Sequence, residues 1–183
     1  MSIFADSAVS PGAEKKPGYR DLFDARDQWR IRADLQTFFG PNADTFLATY
    51  EKMRASTGTR RTSPRTWSWP VFLGSFTWFF YRKMYAFGAM LIFLPVLFGY
   101  LFGSAGGSAW IVFAIWAKGW YVNLGVERVF KADQLGLTGA ERTDYLHRAG
   151  GVSLPAGIFA GLIYACLLAI MVLAAIGRRH AGH

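Results

Sequence analysis

Three long uncharged runs constrain this chain more than any other feature of its sequence. Residues 84–103 and 152–176 contain 20 and 25 consecutive residues without a charged side chain, and residues 109–125 contain a single charge, Lys118. A helix needs about 20 predominantly apolar residues to cross the hydrocarbon core of a bilayer. The sequence therefore predicts an all-α, polytopic membrane protein with three transmembrane helices.

The charge composition favours a membrane location over binding to nucleic acid. Hydrophobic residues make up 52% of the 183-residue chain and charged residues 17%, against about 25% charged residues in an ordinary soluble domain. The net charge is +8, and no Asp or Glu occurs in residues 52–126 or after Asp144. Basic residues beside apolar runs are typical of a membrane protein that follows the positive-inside rule. We therefore expect anionic headgroups on the cytoplasmic side as partners, and no nucleic acid.

A fourth apolar run is too short for an ordinary transmembrane helix. Residues 67–81 hold eight aromatic side chains in 15 uncharged residues, about five fewer than a crossing needs, so we expect one short interfacial or re-entrant aromatic helix. If this run does not cross the membrane, ten basic residues lie on one side of the membrane and two on the other. If it crosses, six basic residues lie on each side. The positive-inside rule favours the first arrangement, with a cytoplasmic N-terminus, and four spans remain the alternative.

The remaining segments are assigned from their composition and periodicity. Residues 1–18 have the Pro-rich and Gly-rich composition of a disordered lead-in. Residues 19–66 are predicted to form cytoplasmic amphipathic helices and a basic linker, because apolar residues recur at helical spacing before the linker. The membrane domain then occupies residues 67–183, with a polar cytoplasmic loop at 126–151 between the second and third spans.

Aromatic and basic residues border the predicted spans. Trp and Tyr are enriched at membrane interfaces, and Lys and Arg extend their charged ends to the headgroups. The predicted interface anchors or lipid headgroup contacts are Trp67, Trp69, Trp78, Tyr81, Arg82, Lys83, Tyr85, Lys118 and Trp120. For Lys118, a functional cation within the membrane is the alternative interpretation.

Small residues mark candidate helix contacts within the spans. Glycine and alanine allow two helix backbones to approach closely, which favours association in a bilayer. The residues predicted for helix packing or partner contact are Gly99, Gly103, Gly157, Ala160 and Gly161. We expect the last three to contact either the first span or a partner protein.

The chain offers few side chains for catalysis or metal binding. It has one cysteine, Cys166, inside the third apolar run, and three histidines, His147, His180 and His183, outside the runs. No Cys/His spacing typical of a zinc site, no nucleophile motif and no phosphate-binding loop is present. We therefore expect a protein that is not an enzyme and has no cofactor.

Three stretches of the chain form a recognisable pattern. They are the sequence FFGPNADTFLATYEKM, the Trp-rich run that leads into YRKMY at 81–85, and Gly150, Gly151 and Ser153 before the last span. With these residues the chain resembles a family of small bacterial inner-membrane proteins, known as domain of unknown function 2628. It extends from about Phe38 to about Leu173. The resemblance implies a location in the bacterial inner membrane and implies no reaction.

These observations favour a non-catalytic integral membrane protein that acts as an accessory, assembly or scaffolding subunit beside a larger membrane complex. An oligomeric small-solute transporter or channel subunit is the alternative, although the spans lack the acidic residues that proton-coupled carriers use. A lipid-binding, membrane-shaping protein is a third interpretation. A membrane protein partner or a homo-oligomer is expected in either of the first two cases.

Overall fold

A computed structural model describes residues 18–56, 65–102 and 109–181, and every regular element within these ranges is helical. The prediction of an all-α fold is confirmed for these ranges. A short 3-10 helix at Tyr19–Asp24 precedes eight α-helices. They are α1 (Gln28–Phe39), α2 (Ala43–Ala55), α3 (Trp69–Gly74), α4 (Phe76–Tyr81), α5 (Tyr85–Phe102), α6 (Ala109–Gln134), α7 (Gly139–Ala149) and α8 (Leu154–Ala181). The predicted lead-in at 1–18 except Gly18, residues 57–64 of the predicted basic linker, and Gly103 lie outside the described residues.

Helices α1 and α2 form an antiparallel pair joined by a short turn at residues 40–42. Gly40 and Asn42 both adopt positive φ angles, +59° and +64°, in a region that glycine and asparagine tolerate best. Each helix buries residues at helical spacing, as the amphipathic pattern predicts. The buried apolar residues are Ile31, Leu35, Phe38 and Phe39 on α1, and Ala43, Phe46, Leu47, Tyr50 and Met53 on α2.

Helix α6 is longer than the sequence predicts. The predicted second span ends at residue 125 and a loop occupies 126–151, whereas α6 continues to Gln134. Val126, Val129 and Ala132 are fully buried at helical spacing, so this apolar stripe packs on the N-terminal helices, while Glu127 and Lys131 between them are exposed. Helix α7 then occupies the rest of the segment. We call α1, α2, α7 and the C-terminal half of α6 the N-terminal unit.

The aromatic run 67–81 forms two short helices instead of one. Helices α3 and α4 are separated at Ser75, whose φ of +57° cannot continue a helix. The chain turns back there, because Pro70 before the break and Tyr81 after it line the same cavity. We call residues 69–81 the hairpin. Its base lies beside the N-terminal unit. Near its tip, the ring of Phe76 meets that of Tyr164 on α8 edge-on, with 5.8 Å between the ring centroids.

Small residues let α8 approach the hairpin. A Cβ atom on Gly157 would lie 3.0 Å from the Tyr81 ring, and one on Gly161 would lie 3.8 Å from the Thr77 methyl group. Ala160 is 2% exposed. The sequence predicts that these small residues contact the first span or a partner protein. Their neighbour in the structure is α4, because the hairpin lies between the N-terminal unit and α8.

Helix α8 is the one described helix long and apolar enough to cross a membrane. The qualifying stretch lies within residues 139–173, has a mean hydropathy of 2.5 and is only 6% buried. Large apolar side chains project from several faces of the helix, including Phe159, Leu162 and Met171 at 62–66% exposure. An all-α protein with one candidate transmembrane helix is therefore the part of the predicted architecture that the structure supports.

Candidate functional site

Arg82 lies at the junction of the hairpin with the N-terminal unit. The sequence predicts an exposed headgroup contact, but the residue is only 4% exposed. Its Nη1 donates a hydrogen bond to the Phe39 carbonyl at 2.9 Å, and its Nη2 donates to the Pro41 carbonyl at 3.1 Å. The first of these carbonyls belongs to the last turn of α1, where carbonyl groups lack partners within the helix. Arg82 therefore caps α1 and joins it to the hairpin.

Aromatic rings complete the environment of the Arg82 guanidinium. Its central carbon lies 4.7 Å from the ring centroid of Phe46 and 5.3 Å from that of Tyr121, distances at which the electron-rich ring faces attract a cation. No carboxylate pairs with Arg82 among the described residues. Its Nε is buried and has no hydrogen-bond partner there. Backbone carbonyls and aromatic side chains therefore surround the positive charge in the part of the chain that the structure describes.

Lys118 provides a second cation near the base of the hairpin. It lies on α6, and its Nζ donates a hydrogen bond to the Trp67 carbonyl at 2.9 Å. Two backbone amides of the same segment, at Thr66 and Ser68, donate to the carbonyls of Ile115 and Ala114 at 3.2 and 3.0 Å. These contacts fix the entry to the hairpin against α6, one turn from Lys118.

A cavity of about 330 Å³ lies between these cations. Asn42 and Thr45 at the start of α2 line one side, and Ser68 at the entry to the hairpin lines another. The first turn of a helix carries unpaired amides and a partial positive charge, which favour an anion nearby. Among the described residues, the lining contains Arg82 and Lys118 and no carboxylate. We call this space the basic cavity; its chemistry suits an anionic group.

An apolar groove, also about 330 Å³, adjoins the basic cavity. It runs between the hairpin and the start of α8, and its lining includes Gly74, Leu154 and Ile158. Three residues, Pro70, Trp78 and Tyr81, line both spaces. The exposed surface of the groove is almost entirely apolar. A charged cavity and an apolar groove thus share one wall.

A separate ionic cluster holds the N-terminal unit together. Arg142 on α7 pairs with Asp34 at 2.7 Å and with Asp133 at 2.8 Å, and Arg30 also pairs with Asp133 at 2.8 Å. Burial alone would raise the pKa of Asp133, but the hydrogen bonds from Arg30 and Arg142 offset it and hold the pKa below its ordinary value. The cluster links α1, α6 and α7, which is a structural role.

The other predicted interface residues are divided between the protein interior and its surface. Trp69 and Tyr85 are 63% and 48% exposed, as an interface anchor requires. Trp120 stacks on the Phe87 ring at 5.4 Å, which ties α6 to α5. Lys83 donates to the Arg148 carbonyl at 3.0 Å. The predicted anchor residues therefore include several that contact other helices of the chain.

Trp67 and Trp78 differ in their surroundings. Trp67 is 38% exposed, and its ring meets that of Trp69 edge-on at 5.5 Å. Trp78 is half-buried in the wall shared by the cavity and the groove. Of the other small residues named from the sequence, Gly99 lies within α5.

The residues that sequence reasoning missed are the polar ones of the basic cavity. Asn42, Thr45 and Ser68 line it together with Lys118, although they precede Lys118 by 76, 73 and 50 positions. The Asn-Ala-Asp start of α2 indicates a helix N-terminus, but no local pattern pairs it with α6. Among the described residues, no group of three or more His, Cys, Asp or Glu side chains is arranged to hold a metal ion.

Comparisons with known proteins add no assignment, because no family model, curated protein or solved structure matches the chain.

Proposed function

We propose that this chain is a non-catalytic integral protein of the bacterial inner membrane that serves as an accessory, assembly or scaffolding subunit of a larger membrane complex. The observation that carries the proposal is the apolar surface of α8, because only 6% of its most apolar stretch is buried by the rest of the described chain. Exposure of this much apolar surface to water is unfavourable by about 25 cal/mol per Å². Lipid tails and partner helices are the surroundings that suit it.

The finer arrangement in this proposal has three spans, made by α5, the first half of α6 and α8, with the N-terminal unit in the cytoplasm. The two ends of the hairpin support a re-entrant path, since both Ser68 and Arg82 line the basic cavity. Helix α8 contacts the two ends of α4 through Gly157 and Tyr164. The stretch of α8 between these residues is about 10 Å long, which is the depth that α4 would reach in the membrane. That depth is about a third of the hydrocarbon core. The resemblance to domain of unknown function 2628 supports the bacterial inner membrane.

The proposal is tested in two steps with the full chain in its native host. Alkaline carbonate should leave an integral protein in the membrane fraction, whereas release into the supernatant would overturn the membrane assignment. A photo-crosslinking residue at Ile170, which is 62% exposed on α8, should then join the chain to one larger membrane protein. The matched control carries the crosslinker at exposed Glu141 on α7 and should not form that product.

The second step also distinguishes the accessory role from the alternative of a transporter or channel subunit. Crosslinking from Ile170 only to other copies of the chain, together with solute uptake into vesicles that contain the purified protein, would contradict the accessory role. Crosslinking to a single different membrane protein, recovered with the chain at constant stoichiometry in mild detergent, supports it.

A further inference from the structure

The basic cavity and the apolar groove share a wall, and the proposed function does not account for either. We propose that together they bind one anionic phospholipid, with the phosphate between Lys118 and Arg82 and one acyl chain along the groove toward α8. The inference rests on the proposed membrane location and adds a specific ligand to it.

The charges of the cavity select an anion. Two cations, Arg82 and Lys118, line it without a carboxylate, and the start of α2 adds the positive end of a helix dipole. The Lys118 ammonium group has three donors, and among the described residues one of them is used in the hydrogen bond to the Trp67 carbonyl, so donors remain for a phosphate. The cavity volume corresponds to about ten water molecules, which is sufficient for a phosphate with a small alcohol.

The groove selects an amphiphile over a free anion. Inorganic phosphate would occupy the basic cavity and leave the groove, with its apolar lining by Leu154 and Ile158, without an occupant. An acyl chain that extends from a phosphate passes Trp78 and Tyr81, because these residues border both spaces. A phospholipid is the class of ligand that satisfies the charged and the apolar parts at once.

The test measures lipid retention by the full chain purified in mild detergent. Phosphatidylglycerol and phosphatidylcholine with identical acyl chains are titrated separately, and bound lipid is counted by native mass spectrometry. We expect saturable binding of one phosphatidylglycerol, at least about tenfold tighter than phosphatidylcholine. Both lipids carry the phosphate, but the positively charged choline group of phosphatidylcholine is repelled by the two cations of the cavity. Equal retention of the two lipids would overturn the proposal.

Two variants separate the cavity from the groove. Lys118→Gln removes a cavity cation and should weaken phosphatidylglycerol binding about tenfold, whereas Lys131→Gln removes an exposed cation further along α6 and should change nothing. Gly74→Leu fills the groove without a clash, since a Cβ there meets no atom within 4 Å, and should weaken both lipids. Gly177→Leu on α8, which is equally unobstructed, is its control.

Inorganic phosphate distinguishes the two sources of the anion. If phosphate at equal concentration displaces phosphatidylglycerol, or if Gly74→Leu and Gly177→Leu bind lipid equally, the site holds a free anion and the proposal is wrong. The measurement in detergent is independent of topology. A chain that binds phosphatidylglycerol selectively but is extracted by carbonate would contradict the proposed function and leave the lipid site intact.

Discussion

Replacing Arg82 with methionine should destabilise the fold more than any exposed substitution. Methionine preserves most of the side-chain length and the contact with the Phe46 ring. It removes the hydrogen bonds from Arg82 to the Phe39 and Pro41 carbonyls, which are 2.9 and 3.1 Å long in the wild-type protein. The Phe39 carbonyl is buried and would lose its partner, whereas water can reach the more exposed Pro41.

The magnitude follows from what each change contributes. Hydrogen bonds to a charged group are worth about 1.5–3 kcal/mol each, and a desolvated cation–ring contact about 2 kcal/mol. Against this, methionine avoids the desolvation of a buried guanidinium, which costs several kcal/mol. The net expectation is a loss of about 3 kcal/mol in the free energy of unfolding. Arg82→Lys keeps the charge but not the forked geometry and should lose about half as much.

Thermal unfolding followed by circular dichroism in mild detergent measures the effect. A loss of about 3 kcal/mol corresponds to a fall of roughly 6–12 °C in Tm for a chain of this length. Lys131→Met, which removes an exposed charge from α6, is the control and should change stability by less than about 0.5 kcal/mol. If Arg82→Met and Lys131→Met melt within 1–2 °C of each other, the assignment of Arg82 as the link between α1 and the hairpin is wrong.

Three further substitutions test contacts between helices. Gly150→Ala places a Cβ against the Phe38 carbonyl and should lower stability by about 1–3 kcal/mol in denaturant unfolding. Asp133→Asn should lower the free energy of unfolding by about 1–2 kcal/mol at pH 7. Folding depresses the pKa of this carboxyl, so the stability that the wild-type carboxylate contributes is lost as the pH falls through the folded pKa. The variant should not show this loss of stability in a titration below about pH 4. Gly157→Leu should force α8 from Tyr81 and reduce membrane yield and Tm by an amount equivalent to about 1–3 kcal/mol.

Each of these substitutions has a control at a position that the structure leaves open. Gly177→Ala and Gly177→Leu are the controls for the two glycine changes, because a Cβ at Gly177 meets no atom within 4 Å. Glu127→Gln removes an exposed carboxylate of α6 and controls for Asp133→Asn. If a test variant is as stable as its control, the helix contact that it was designed to disrupt is wrong. The same holds for the ionic cluster if Asp133→Asn keeps the acid dependence of the wild-type stability.

Local patterns account for the helical class and for several helix ends. The Gly-Pro-Asn sequence after Phe39 separates α1 from α2. Helix α7 begins after Thr138 and ends before Gly150, and Thr and Gly are residues that favour a helix start and a helix end, respectively. The capping hydrogen bond itself is absent, since the Thr138 side chain makes none. Helical periodicity and turn residues act over a few positions, which is why these features can be predicted from the sequence.

Long-range packing accounts for what sequence reasoning missed. Polar residues beyond position 125 indicate a loop, but burial of Val126 and Val129 by α1 and α2 extends α6 to Gln134. Arg82 looks like a surface anchor because its neighbours are aromatic, yet its hydrogen-bond partners lie 41 and 43 positions away. The basic cavity depends on the same contacts, so spacing alone cannot predict it.

Accessibility of single cysteines from the two sides of the membrane tests the central claim most directly. In a Cys166→Ser background, cysteines replacing Glu127 on α6 and Gly177 near the end of α8, both exposed, are labelled with a membrane-impermeant maleimide in intact spheroplasts and in inverted vesicles. If α8 crosses the membrane away from a cytoplasmic N-terminal unit, position 127 reacts only in inverted vesicles and position 177 only in spheroplasts. Labelling of both positions from the same side would contradict the membrane arrangement proposed for this protein.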